Sequence, residues 1–244
     1  MVQYILFFIV IALSNIIQGI TGFAGTIFAM PFSLMLVGYP VAKPILNVLA
    51  IFSGGYVAAG NRKYIDKKVL LQVCLTMLVG IVLGIFIKDY FAGREQILQH
   101  ALGIFIIILG IEGLIRLLTG KESKSDKVSI LTTLLLPLAG IIHGIFVSGG
   151  PLLIGYMTKK IKDSRVFRAT ISMVWVVLNI VIFIDDCRNG YWDWHLALVL
   201  IISVPFLLLG MKIGGILFKK MNQRTFMIIT YILLIISGIS LLLK

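Results

Sequence analysis

The sequence predicts an all-α polytopic membrane protein made of two inverted-topology repeats, each a re-entrant broken-helix hairpin followed by three transmembrane helices. Three observations predict it. The 244-residue chain is 59% hydrophobic and 13% charged, with a mean hydropathy of +1.07, too little polar surface for a water-soluble domain. Several apolar stretches reach the roughly 18–20 residues that a helix needs to cross a bilayer. Most of the 22 Lys and Arg residues cluster in short runs between those stretches, which is the pattern of cytoplasmic loops.

The apolar segments run 2–38, 43–60, 69–88 and 97–118, then 130–158, 165–185, 194–218 and 226–243. A polar linker, 119–129, divides the chain near its middle. The first segment opens Met1-Val2-Gln3-Tyr4 with no basic residue ahead of the apolar run, so it reads as a membrane segment and not as a cleaved leader. Basic clusters fall at Arg62, Lys63, Lys67 and Lys68; at Arg116, Lys121, Lys124 and Lys127; at Lys159, Lys160, Lys162, Arg165 and Arg168; and at Lys212, Lys219, Lys220 and Arg224. All four regions are expected inside. Lys88, Asp89, Arg94 and Glu95, and Asp185, Asp186, Arg188 and Asp193, are expected in outer loops.

The loop assignment constrains the two longest segments. The 116–127 and 159–168 regions both belong inside, so segment 130–158 must leave and return on one side. It is too short for two full spans, and a re-entrant hairpin of two half-helices satisfies both conditions. Segment 2–38 is expected to be the matching hairpin, entering from outside. The arrangement gives repeats 1–118 and 130–244 of opposite orientation with both termini outside, the architecture of secondary transporters. The halves echo one another in order. Gln18-Gly19-Ile20 matches His143-Gly144-Ile145, with Gly25 and Gly150 seven residues after Gln18 and His143. Tyr64-Ile65-Asp66 matches Tyr191-Trp192-Asp193, Gly80 and Gly84 match Gly210 and Gly214, and Leu109-Gly110-Ile111 matches Ser237-Gly238-Ile239.

Broken backbone inside hydrocarbon survives only where protein or a wet cavity satisfies it. Two stretches look broken: Gly19-Ile20-Thr21-Gly22-Phe23-Ala24-Gly25-Thr26, and His143-Gly144-Ile145-Phe146-Val147-Ser148-Gly149-Gly150-Pro151. Pro151 suits the first turn of a helix. Two helix N-termini converging near the midplane favour a small anion, and Thr21, Thr26 and Ser148 add hydroxyl donors. The candidate binding set is therefore Gln18, Gly19, Thr21, Gly22, Gly25, Thr26, His143, Gly144, Ser148, Gly149 and Gly150. Asn47 and Asn179 join it if they face the cavity; bonding between helices is the alternative. His143 can carry a proton, donate to an anion, or sit satisfied at a helix contact. The GxxxG pairs 80/84 and 210/214 read as packing. Lys212 either snorkels to headgroups or draws in anions, and Glu112 pairs with Arg116.

Several function classes drop out. The charge of +12 is accounted for by loops, so nucleic acid is not an expected partner. Cys74 and Cys187 make neither a disulfide framework nor a metal site. No nucleotide-binding, HExxH or nucleophile motif is present, so no cofactor is expected and transport must be secondary or passive. The partners expected are a small inorganic or organic anion and the lipid bilayer.

The chain resembles the TauE/SafE family of sulfite and organosulfonate exporters. The resemblance rests on Gly19 through Gly25 followed by Pro31, on Gly144 through Pro151 with Ser148-Gly149-Gly150, and on Gly60 followed by Tyr64-Ile65-Asp66. It covers essentially the whole chain, though Ala24 and Thr26 stand where the family is often richer in glycine. It implies export or exchange of a small sulfur oxyanion, sulfite or a sulfonate such as sulfoacetate, across a bacterial cytoplasmic membrane; a passive anion channel and a membrane binding or assembly protein that transports nothing are the alternatives.

Overall fold

A computed structural model describes residues 2–21, 25–91, 95–119, 130–161 and 163–218, with scattered positions between 228 and 242. Gly22, Phe23 and Ala24, the linker 120–129, Lys162, and Lys219, Lys220 and Arg224 lie outside the described residues, as does the side chain of Thr21. Among the described residues the regular structure is helical. In order come α1 (Val2–Thr21), α2 (Gly25–Val37), α3 (Tyr39–Gly60), α4 (Lys67–Tyr90), α5 (Glu95–Thr119), α6 (Ile130–Phe146), α7 (Gly150–Lys160), α8 (Ser164–Arg188) and α9 (Trp194–Phe218). Described positions from 228 onward are also helical.

Among the described residues, six helices are long and apolar enough to cross a membrane, those starting at Val2, Tyr39, Lys67, His100, Arg165 and Trp194. The outward face of α4 carries Leu71, Leu75, Val79, Val82 and Phe86 as one exposed stripe, and α5 exposes Ile104, Ile108, Ile111 and Ile115. At three- and four-residue spacing these are helix faces turned to an apolar solvent. This is an integral membrane protein.

Local chemistry starts and stops the helices. The Tyr-x-Asp echo is a cap in both halves. Asp66 accepts from the N–H groups of Lys68 and Val69, each at 3.0 Å, and opens α4. Asp193 accepts from Leu196 N–H at 2.7 Å and opens α9. Asp163 does the same for α8 through Arg165 and Val166. Those two N–H groups, Val166 first, hold the Asp163 carboxyl below the usual aspartate range.

Packing is matched between the halves. Helix α1 lies along α9 and α6 lies along α4, while α3 and α8 cross at the centre. Glycines permit the closest of these contacts. A side chain at Gly80 or Gly84 would strike the Pro137 or Ile141 carbonyl of α6, and one at Gly210 or Gly214 would strike the Ala12 or Ile16 carbonyl of α1. Backbones in such contact gain dispersion that lipid cannot supply. Gly110 meets Tyr231 and Ile235, and Gly238 meets the Gly103 carbonyl, so α5 packs on the C-terminal segment.

The hairpins differ from the expected pair of half-helices. Helix α1 has 20 residues and α2 has 13; α6 has 17 and α7 has 11. Each hairpin is a long arm followed by a short one, because the long arm has a full-length partner in α9 or α4. The short arm does fold back. Gly25 sits against Gln18 and the Ser14 carbonyl, and Gly149 against Ala139 and His143.

Candidate functional site

The ends of the hairpin arms meet at the crossing of α3 and α8. There Gln18, Thr26 and Ile27 from the first hairpin face His143, Val147 and Gly150 from the second, with Ala50 of α3 and Trp175 and Asn179 of α8 completing the walls. The enclosed space is about 10 Å³, about one water-sized sphere. The arrangement is closed, and a ligand larger than water enters only if the tips part.

The sequence-predicted residues take different places. Gln18, Thr26, His143, Gly150 and Asn179 line the cavity. Gln18 has a second task, since its Oε1 accepts from Gly25 N–H at 2.8 Å and so caps α2. The N-terminus of α7 has no side-chain cap, with Gly149 at the cap position and a proline in the first turn. The two helix starts are therefore not equivalent, and only that of α7 opens uncapped onto the cavity. Gly19 and Gly144 face neighbouring helices instead, where an added Cβ would lie 2.9 Å from the Met211 carbonyl and 2.7 Å from the Ile81 carbonyl. Ser148 turns its hydroxyl back to the Phe146 carbonyl at 2.9 Å.

Asn47 and Asn179 mark where α3 crosses α8. Asn47 Nδ2 donates to the Asn179 carbonyl at 3.1 Å, and His143 Nε2 lies 3.0 Å from Asn179 Oδ1. An amide oxygen only accepts, so Nε2 carries the proton in that pair. Four buried atoms around this crossing have no partner: Trp175 Nε1, Asn179 Nδ2, His143 Nδ1 and Asn47 Oδ1. The first two are donors. Unmet buried donors on a cavity wall are costly, roughly 1–3 kcal/mol each, and they point to a ligand rich in acceptor oxygens. Trp175 is a wall residue the sequence reading missed. A lone tryptophan inside an apolar helix looks like core or lipid contact, and only the cavity shows its N–H to be unmet.

Val147 ends α6 with φ of 55°. A β-branched residue in the left-handed region is strained, and such strain concentrates at working sites. Here it sits on the cavity wall.

A second space leads away from the tips. Ser14, Gln18, Thr26, Ala50 and Ser53 surround a further small cavity, and Ser53 is shared with a groove of about 610 Å³ between α3 and α9, lined also by Phe52, Tyr56, Leu208, Met211 and Lys212. Ala50, Ser53 and Tyr56 step along one face of α3 toward the basic turn at Arg62 and Lys63.

The opposite end of the crossing is held by ions. Lys43, Lys88, Asp185 and Asp186 are buried, which corrects the expectation that the last three are outer-loop charges. Helix α4 runs on to Tyr90 and α8 to Arg188, which carries these charges inside helical packing, where they neutralise one another.

A bundle of apolar helices around a polar cavity, with half-length helices opening onto it, defines a membrane transport protein. The profile of the sulfite exporter TauE/SafE family matches residues 6–241, and the chain belongs to that family. It is thus a transporter and not an enzyme. The chain is also similar to a Cupriavidus necator protein named "Probable sulfite/organosulfonate exporter TauE", with 21% identity over 201 residues, covering 81% of this chain and 77% of the relative. No solved structure matches it.

Proposed function

We propose that the protein exports a small sulfur oxyanion, sulfite or an organosulfonate such as sulfoacetate, by alternating access. The single observation that carries this reading is the orphan set on the tip cavity. Trp175 Nε1–H and Asn179 Nδ2–H offer two donors, and His143 Nδ1 accepts when the ring carries its one proton on Nε2. Hydrogensulfite matches that set, because it has acceptor oxygens and one proton to donate. The uncapped start of α7 at Gly150 adds a positive helix end.

The description of the matched family supports export. The groove lined by Lys212 and Tyr56 lies toward the loops rich in Lys and Arg, the cytoplasmic side by the distribution of charge. The ion cluster closes the other end. We read the arrangement as a closed state whose wider groove lies on the cytoplasmic side, with the two halves related as inverted repeats and both termini outside. Transport then requires the hairpin tips to part toward the ion cluster while the groove closes.

The test is uptake of labelled sulfite into proteoliposomes, with excess sulfoacetate, sulfate or chloride as competitors. Saturable uptake that one sulfur anion suppresses, and that Gly150→Leu removes, is the expected result. Current that rises without saturation would indicate a passive channel. No flux for any of these anions would defeat the reading.

A further inference from the structure

The ion cluster holds more than a seal requires. Lys43 is 0% exposed and pairs with Asp186, also 0% exposed, and with Asp185 at 3.5 Å. Lys88 holds Asp185 at 2.6 Å and Asp89 at 3.2 Å. Arg188 bonds Asp89 at 3.1 Å and Asp185 at 3.2 Å. The charges balance, yet Asp186 keeps one oxygen, Oδ2, buried with no partner. A buried ion pair is seldom more stable than a well-packed apolar pair of similar volume, so stability alone does not account for a half-satisfied one in the middle of a membrane protein.

Position supplies a reason. Tyr39, Lys43, Asn47 and Ala50 recur at three- and four-residue steps on α3 and share one face. Trp175, Asn179, Ile182 and Asp186 do the same on α8. The two faces meet at Lys43–Asp186, at Asn47–Asn179, and at the cavity walls formed by Ala50, Trp175 and Asn179. Lys43 is about 10 Å along the helix axis from Ala50, at 1.5 Å per residue. One stripe of polar groups thus runs from the tip cavity to the ammonium. The Tyr39 hydroxyl donates to the Ile145 carbonyl, tying the second hairpin tip to the turn of α3 that carries Lys43.

We infer that Lys43 is a second anion-binding station, at which the transported oxyanion displaces the Asp186 carboxylate on its way out. The inference rests on the transport reading. The anion replaces one oxygen partner of the ammonium with another, and the displaced Asp186 carboxylate is left to Lys88, the other buried cation of the cluster. Any movement of the second tip that frees the Ile145 carbonyl also loosens the turn bearing Lys43. The Asp186 carboxylate keeps the station filled when no anion is there, which stops the buried ammonium from standing alone.

Two variants test it. The swap Lys43→Asp with Asp186→Lys keeps an ion pair of reversed sense. Asp186→Asn removes the competing carboxylate and leaves Lys43 beside Asp185. In proteoliposomes the swap is expected to abolish saturable sulfite flux while eluting as a monodisperse species in detergent. In detergent, Asp186→Asn is expected to lower the sulfite concentration for half-maximal thermal stabilisation about tenfold, as removal of a charged competitor should. Sulfite flux by the swap within about twofold of the parent would overturn the inference. So would an unchanged midpoint in Asp186→Asn, which decides the matter if the swap does not fold. Parent protein that carries no sulfur anion at all defeats the transport reading as well, and so the two failures are told apart.

Discussion

Replacement of Trp175 by Phe gives the most direct test of the cavity. The change keeps an aromatic ring beside His143, whose centroid lies 4.9 Å from that of Trp175, and removes only the indole N–H and part of the ring. Truncating a buried tryptophan to alanine costs about 3–5 kcal/mol. Here much of the ring stays, and a buried donor worth roughly 1–3 kcal/mol of unmet desolvation disappears. The two effects oppose one another, so stability without anion should change by no more than about 1 kcal/mol. Binding should respond in one direction only. A hydrogen bond to a charged group contributes about 1.5–3 kcal/mol, which is roughly 10- to 100-fold in KM. The assay pairs thermal melting in detergent, with and without sulfite, with concentration-dependent uptake in proteoliposomes. A variant that loses several kcal/mol while keeping the parent KM would show the indole N–H to be a packing accident and refute the donor argument.

Three further outcomes follow from local geometry. Gly84→Ala places a methyl group on the Ile141 carbonyl and should destabilise by about 1–3 kcal/mol as α4 and α6 are forced apart; Gly55→Ala, which meets nothing within 4 Å, should stabilise by up to about 1 kcal/mol, both read from melting curves. Val147 is both buried and left-handed, so Val147→Gly sets about 1–3 kcal/mol of released strain against a larger packing loss; its melting temperature should fall less than that of Val174→Gly, an equally buried position in regular helix, and an equal fall would count against strain at Val147. The Asp163 carboxyl titrates below its ordinary range because two backbone N–H groups of α8 bond it. Its contribution is present above the unfolded aspartate value and fades as pH falls through the lower folded one. The melting temperatures of the parent and Asp163→Asn should therefore differ at neutral pH and converge below about pH 4.

Much of the architecture was legible because it depends on short-range regularities. Apolar length marked the helices. The Tyr-x-Asp echo is a pair of helix caps, and the GxxxG echo is a pair of close helix contacts, both readable because caps and packing ridges act over three or four residues. The hairpin tips were legible from glycine, proline and hydroxyl residues crowded into apolar segments. The roles inside those tips were not. Nothing local separates Gly150, which lines the cavity, from Gly144, which packs on Ile81, since both are glycines in the same motif. Nor does the sequence show that Gln18 spends its oxygen on Gly25.

The sequence by itself determined that this chain lives in a bilayer, breaks its backbone twice and gathers polar groups at the breaks, since hydropathy and turn chemistry are properties of neighbours in the chain. Only the tertiary structure decided which charges meet. Lys43 and Asp186 lie 143 positions apart, and Asp186 alone reads as an outer-loop charge. The crossing of α3 over α8 turns them into a buried pair, because in a low-dielectric interior a charge must find its counterion wherever the fold puts one. The same crossing placed Trp175 and Asn179 against the hairpin tips, so the donors that point to an anion exist only once the helices are packed.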